Sequence, residues 1–431
     1  MSTISFQLFR DILYKYQNFI IAIGLIISFS GGSWDITFHI LSQPESFFSA
    51  PHTLVYTGIL IVIGIFFINF RKNFSSENRT RKDNYVILLG AGLIIAAGPF
   101  DFSWHLKFGL DGLLSPPHIT LLTGWLLVGL GNLRITNKLI YLAIEKNREK
   151  TLKGNSMEIR GTNHHRHSQY VDAKNDYKKS DMVNQAAAAV NLNNKSTTLL
   201  RYQLFLNLSF ILMILSGFIY FFSLPFSETQ FYNYNPDPLI AFFVYSLGFP
   251  ILLSCFFMSI LKNYPGFEEM VLLVGSFYVV IMLLTQIISN PFLLYYSWYY
   301  ILNLIPFVVI YLLNKMQIRN KRLTKRNTLG KSDNSEARAV KKYTNKKLYI
   351  LYALILSVSS LTICFPLNTY ILNEKLYGYL VYQNLVFKVF VQIFVDYFMI
   401  IIPLSVMGGL LGFWLESAIA SKYKVLQFGF R

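Results

Sequence analysis

The sequence predicts an all-α integral membrane protein with about ten transmembrane helices, and two observations support this fold class. Hydrophobic residues make up 53% of the 431 residues, and charged residues make up only 14%. Many apolar runs also reach the ~20 residues that a helix needs to cross a bilayer. These runs are continuous rather than alternating, which indicates helices instead of barrel strands. The ten runs are residues 17–33, 50–70, 84–100, 117–135, 200–223, 238–261, 269–288, 293–313, 347–366 and 391–413.

The distribution of basic residues predicts how these helices are oriented. Lys and Arg are concentrated in segments 71–83, 136–199, 314–346 and 418–431. Neither residue occurs in segments 31–50, 224–237 and 289–293. Basic loops stay on the cytoplasmic side of a membrane. The alternation therefore predicts a multi-pass protein of the cell membrane, with both termini in the cytoplasm.

The net charge of +17 is explained by the same asymmetry. Most of it lies in the segments assigned to the cytoplasm, where anionic lipid is a sufficient partner. We therefore expect contact with membrane lipid, and other membrane subunits as further partners, rather than a nucleic-acid partner.

Two basic tracts divide the chain into three membrane blocks. Residues 147–199 and 314–346 are polar and lack apolar periodicity, which predicts cytoplasmic linkers, the first of them disordered. The blocks are a four-helix unit at 1–146, a second four-helix unit at 200–313, and a two-helix unit with a C-terminal tail at 347–431.

The first block contains one motif twice. Residues 32–58 and 98–124 share the pattern Asp-x3-His-x12-His at a constant offset of 66, the distance from Asp35 to Asp101. Each copy covers a helix, a loop on the outer face and a returning helix. Because both hairpins then have the same orientation, they form a tandem parallel repeat, related by an axis along the membrane normal. The candidate metal ligands are Asp35, His39, His52, Asp101, His105 and His118.

The spacing of these residues is suited to a metal site. The acid and the first histidine are four residues apart, which places them on one helical face. The second histidine follows a proline, a residue favoured in the first turn of a helix. Two imidazoles and one carboxylate per copy favour copper, zinc or iron over magnesium or calcium. Three protein ligands leave a coordination position open, as in catalytic sites.

An acid also recurs six residues after the first histidine of each copy, as Glu45 and Asp111. These carboxylates either orient an imidazole through a hydrogen bond or are solvated acids of the loop.

The second copy contains Phe100-Asp101-Phe102-Ser103-Trp104-His105, then Asp111, then Ser115-Pro116-Pro117-His118. This segment resembles the copper-site segment of the C subunit of particulate methane and ammonia monooxygenases. That subunit carries Asp-x3-His-x12-His in its membrane helices, with a Trp-His pair and an acid in the loop. The resemblance implies that Asp101, His105 and His118 bind copper and that the metal activates dioxygen on a small molecule. Through the repeat, the same expectation extends to the ligands of the first copy.

The resemblance is confined to about 27 residues in each copy and does not continue beyond the fourth span. The family subunit carries one such motif and this chain carries two, and Phe38 replaces the tryptophan before His39. The sequence therefore predicts kinship of the site rather than identity of the enzyme.

Two other functions are compatible with the sequence. In a metal or proton-coupled transporter the same residues bind an ion transiently, and Asp396 in the last span is an intramembrane functional acid. In a non-catalytic subunit of a membrane complex, the Asp and His side chains only hold helices together, through hydrogen bonds worth roughly 0.6 to 2 kcal/mol each.

Overall fold

A computed structural model of the chain confirms an all-helical protein and contains no strand in the part that it describes. The described residues are 3–40, 46–75, 80–109, 113–160, 195–223, 238–263, 269–289, 294–295, 297–327, 334–364 and 398–422.

The described residues of the first block form five helices. They are α1 (Thr3–Ile40), α2 (Ala50–Ile68), the short α3 (Phe70–Phe74), α4 (Arg81–Phe108) and α5 (Pro116–Arg160).

Beyond this block, the part of the chain that the structure describes forms seven further helices and two short irregular turns. The helices are α6 (Lys195–Ser223), α7 (Pro238–Asn263), α8 (Met270–Ser289), α9 (Ser297–Tyr300), α10 (Ile305–Asn327), α11 (Asn334–Ser359) and α12 (Phe398–Lys422). A 3-10 turn, Ile301–Leu304, joins α9 to α10, and a π-helical turn, Ser360–Cys364, ends α11.

Nine helices in the described ranges are long and apolar enough to cross a membrane. They coincide with nine of the ten predicted spans. At the remaining predicted span, 347–366, the structure has a shorter apolar helix, Lys347–Ile363. Large hydrophobic side chains such as Leu60, Phe67 and Leu89 are more than half exposed, which suits helices whose outer faces contact lipid.

The predicted linkers are only partly described. Helix α5 continues through 147–160, a stretch with many Lys, Arg and Glu residues, which are good helix formers. Residues 161–194 lie outside the described residues. In the second tract, α10 ends at Asn327 and α11 begins at Asn334.

Close crossings at glycines hold each N-terminal hairpin together. A Cβ atom added at Gly24 of α1 would lie 2.8 Å from the carbonyl oxygen of Gly58 on α2. A Cβ atom added at Gly90 of α4 would lie 2.7 Å from the carbonyl oxygen of Gly124 on α5. Small residues at such points let two membrane helices pack backbone to backbone.

Direct contacts also join the two hairpins to each other. Trp125 on α5 donates a hydrogen bond of 2.9 Å from its indole nitrogen to Ser28 Oγ on α1. The Trp125 ring also packs directly on Gly32 of α1. In the opposite direction, from the first hairpin to the second, the Tyr56 hydroxyl of α2 packs on Gly98 of α4. Each hairpin thus inserts an aromatic ring against a glycine near the motif of the other.

Buried amides attach the second block to the first. Asn132 on α5 donates hydrogen bonds to the Asn18 carbonyl oxygen, at 2.9 Å, and to Asn207 Oδ1 on α6, at 2.8 Å. Asn207 in turn donates to Thr136 Oγ1 at 3.0 Å. These groups are buried, so the network fixes α6 against α5.

The last helix is attached to α7 by an ion pair between Lys262 and Glu416. Glu416 is 4% exposed, and Lys262 also lies over the ring of Phe413. We expect Glu416→Gln to lower the free energy of unfolding by about 2 kcal/mol, less than a fully buried pair would lose, because Lys262 remains partly exposed. Thermal unfolding in detergent measures this loss.

The matched control is Glu269→Gln, which makes the same change at an exposed acid. A double variant, Lys262→Met with Glu416→Leu, is expected to recover most of the lost stability, since it leaves no unpaired charge. Equal melting temperatures for Glu416→Gln and Glu269→Gln would contradict the assigned role of the pair.

Candidate metal centre

Five of the six candidate ligands converge at one end of the N-terminal block. Asp35 lies near the C-terminal end of α1, and His52 lies in the first turn of α2. Asp101 and His105 lie in the last two turns of α4, and His118 lies in the first turn of α5. Each of these five residues is at most 9% exposed. We refer to Asp35, His52, Asp101, His105 and His118 as the Asp–His cluster.

The other candidates lie outside what the structure describes. His39 is on α1, but its side chain is outside the described residues, as are Glu45, Asp111 and Asp396.

The second copy of the motif forms a compact triad around Asp101. His105 Nε2 lies 3.3 Å from Asp101 Oδ1, and His118 Nε2 lies 3.4 Å from the same oxygen. The two imidazole rings are 5.8 Å apart between centroids. One ligand atom from each of the three residues lies within 4.8 Å of the other two. This is a spacing at which one cation can contact all three.

The first copy joins the same cluster through Asp101. His52 Nε2 lies 3.1 Å from Asp35 Oδ1. Ligand atoms of Asp35, His52 and Asp101 also lie within 4.8 Å of one another. Asp101 therefore belongs to two triads, one from its own hairpin and one that it completes for the other hairpin. The cluster is continuous rather than two separated sites.

The remaining ring nitrogen of each histidine contacts an oxygen outside the cluster. His52 Nδ1 is 3.1 Å from the Ser46 carbonyl oxygen, and His105 Nδ1 is 3.1 Å from the Gly109 carbonyl oxygen. A carbonyl can only accept, so in both hydrogen bonds Nδ1 carries the proton. His118 Nδ1 is 2.7 Å from Ser115 Oγ, a group able to accept in the same way.

This orientation has a consequence for Nε2. In the neutral imidazole whose Nδ1 is protonated, Nε2 carries a lone pair. At His52 and His105 that lone pair faces a carboxylate oxygen. Two acceptors at this distance repel each other unless a cation or a second ring proton lies between them. Histidines that bind metals are held in the same way, with the other ring N–H donated to a carbonyl or carboxylate.

The distances between ligand atoms fit a coordination shell. Two ligands bound tetrahedrally at ~2.0–2.1 Å from a metal are about 3.3–3.4 Å apart. The Nε2–Oδ1 distances of 3.1, 3.3 and 3.4 Å lie close to this value. They are longer than the ~2.7–2.9 Å typical of a charge-assisted hydrogen bond between nitrogen and oxygen.

Local sequence explains how the second triad is built. Gly109 ends α4 with φ +73°, a conformation that glycine adopts without strain. This turn lets the Gly109 amide bond the His105 carbonyl oxygen while the Gly109 carbonyl reaches the His105 ring. Ser115 then precedes two prolines, and its carbonyl accepts from the amide of Ile119 to begin α5. His118 is therefore fixed in the first turn.

The first copy holds its second histidine differently. Ser49, the counterpart of Ser115, makes no side-chain bond to its helix, and His52 instead bonds the carbonyl of Ser46. The two copies thus differ in the contacts that hold their second histidine.

The sequence interpretation missed two aromatic neighbours of the cluster. Tyr56 lies four residues after His52, a spacing that places both on one helical face, so its position was available from the sequence. Phe221 of α6 packs edge-to-face on the His118 ring, with centroids 6.3 Å apart. No local pattern indicates that contact, because it depends on how α6 docks against the first block.

Comparison with known proteins identified no relative of this chain. No protein-family model, no curated protein and no solved structure matches the chain.

Proposed function

We propose that the chain is a metal-binding integral membrane protein whose Asp–His cluster holds a transition-metal cation, with copper as the expected metal. One observation carries this proposal: three buried imidazoles direct Nε2 at two buried carboxylates, and at least two of them donate Nδ1–H to a backbone carbonyl. A cation between these groups removes the repulsion between acceptors. A divalent cation also balances the charge of two carboxylates.

The two hairpins are proposed to be a parallel repeat that builds this cluster from both copies. The Gly24–Gly58 and Gly90–Gly124 crossings occur at residues related by the same offset of 66 as the ligands. Both chain reversals also lie at the end of the block where the ligands meet. These matched positions support the repeat, and the basic loops support a location of this end at the outer face of the cell membrane.

The expected reaction is the oxidation of a small molecule by dioxygen at the bound metal. The support for copper and for this reaction is the resemblance of residues 100–118 to the copper-site segment of the particulate monooxygenases. Zinc and iron are the alternatives that the donor set also suits. When bound, the metal would supply an open coordination position. The protein would supply the ligand atoms of the two triads, which share Asp101, and a buried surrounding. Other membrane subunits are proposed as partners.

Elemental analysis of the purified protein tests the proposal. We expect the wild type to retain copper in preference to zinc, and the double variant His105→Ala/His118→Ala to lose at least half of it, because two of the three ligands in one triad are gone. The control is His164→Ala/His165→Ala, which removes two histidines outside both motifs.

Unchanged metal content in the double variant would refute the metal site. In that case the cluster would serve helix packing alone, and the variant would differ from the wild type only in thermal stability, by an amount independent of added metal.

A further inference from the structure

Tyr56 is an aromatic residue next to the Asp–His cluster, in contact with His52. It lies on α2 one turn after His52, and the centroids of the two rings are 6.3 Å apart. On its other side the ring packs on Phe47, at 5.4 Å. These contacts fix the ring beside the first-copy triad.

The hydroxyl of Tyr56 reaches across to the other hairpin. A Cβ atom added at Gly98 would lie 2.6 Å from it. Gly98 precedes Asp101 by three residues on α4, so the hydroxyl lies on the helical face that presents Asp101. The ring thus contacts His52 of the first copy, and its hydroxyl contacts the helix that carries Asp101 of the second copy.

The Tyr56 hydroxyl is buried and has no hydrogen-bond partner among the residues that the structure describes. A buried hydroxyl normally finds an acceptor, since leaving one unsatisfied is costly. The Oδ1 atoms of both nearby carboxylates are directed at imidazoles. An acceptor brought to the cluster from outside would satisfy the hydroxyl.

The repeat indicates that helix packing does not require this hydroxyl. The position related to Tyr56 by the offset of 66 is Leu122, which is 1% exposed in the apolar core. The related hairpin thus packs at this place with an aliphatic side chain. The ligand residues recur in both copies, whereas the hydroxyl occurs in only one. The hydroxyl is therefore present only on the side of the cluster that the first copy forms.

We infer that Tyr56 is a positioning residue that donates a hydrogen bond to a small oxygen or anionic ligand held by the cation of the Asp–His cluster. This inference rests on the proposed metal site. The closeness of Gly98 is part of the arrangement, because a side chain there would displace the hydroxyl.

The test compares azide binding to copper-loaded wild-type protein and to Tyr56→Phe, measured by the optical absorption of the copper–azide complex. Phenylalanine keeps the ring contacts with His52 and Phe47 and removes only the donor. We expect equal copper content and an azide affinity about tenfold weaker, as for the loss of one hydrogen bond to a charged acceptor. The control is Tyr202→Phe, which removes an exposed hydroxyl on α6.

The outcomes separate the two proposals. Equal copper content with equal azide affinity would overturn the role of Tyr56 and leave the metal site intact. Loss of copper in Tyr56→Phe would also overturn it, because the hydroxyl would then be supporting the metal ligands themselves. A wild-type protein that binds no copper would refute the metal site, and the inference with it.

Discussion

Asp101→Asn is expected to remove most of the bound metal, whereas Asp35→Asn should leave a substantial fraction. Asp101 contributes a ligand atom to both triads, and Asp35 contributes to one. An amide keeps the shape of the carboxylate but removes its charge. The affinity lost at Asp101 should exceed the roughly 10–100-fold loss that follows removal of a group supporting a metal ligand. Metal content after dialysis against a graded series of chelator concentrations measures the two affinities.

The pair of variants is its own matched control, since both make the same chemical change at acids that are equally buried, each 8% exposed. An equal loss of metal affinity in Asp35→Asn and Asp101→Asn would indicate that the two acids are equivalent and that the two triads do not share Asp101. A second readout is the melting temperature with and without metal. A cation that binds only the folded protein raises it in the wild type, and this increase should be smallest in Asp101→Asn.

The positions of the membrane helices could be predicted from the sequence because the signal is local. Each span is a continuous apolar run, and nine of the ten predicted runs coincide with long apolar helices in the described ranges. The ends were less predictable. Helix α1 runs without interruption through Gly31 and Gly32, where glycines lower helix propensity. Gly31 packs against the backbone of α2, and Gly32 against Trp125. Packing between helices therefore outweighs local propensity here.

The proximity of five of the six candidate ligands could also be predicted, because spacing along a helix determines which side chains share a face. The participation of Asp101 in both triads could not be predicted from the sequence. It depends on the distance between two hairpins, which is set by contacts such as Trp125 on Ser28 and Tyr56 on Gly98. Each contact joins residues that are far apart in sequence, and the repeat does not relate Trp125 to Tyr56.

The hydrogen bonds that orient the histidines could not be predicted from the sequence for another reason. His52 and His105 are oriented by carbonyl oxygens of Ser46 and Gly109. Every residue carries such a carbonyl, so residue type gives no signal. Only the positive φ of Gly109 is connected to an identifiable residue type.

Gly58→Leu is expected to prevent correct assembly of the first hairpin, and Gly64→Leu on the same helix should be tolerated. A Cβ atom at Gly58 would overlap the backbone of Ser28 and Gly24 on α1, whereas nothing lies within 4 Å of a Cβ atom at Gly64. Overpacking a core costs about 1–3 kcal/mol when side chains can move aside. Here the obstacle is backbone, so the cost should exceed that range. The yield of monodisperse protein in detergent and its melting temperature measure the effect.

The second hairpin offers the same comparison on α4. A Cβ atom at Gly90 would lie within 2.8 Å of atoms of Gly124 and Val128, and one at Gly92 would have nothing within 4 Å. If Gly90→Leu and Gly92→Leu were equally stable, the close crossing would not be a requirement of the fold.

Comparing Gly58→Leu with Asp101→Asn distinguishes effects on helix packing from effects on metal binding. The crossings lie along the hairpins, and the ligands lie at their ends, so pushing α2 away from α1 moves His52 away from Asp35. Gly58→Leu should therefore lose stability and metal together, while Asp101→Asn loses metal without comparable damage to the hairpins. A Gly58→Leu protein that kept full metal content would show that the ligands meet without the close crossing, and that the glycines do not position the cluster.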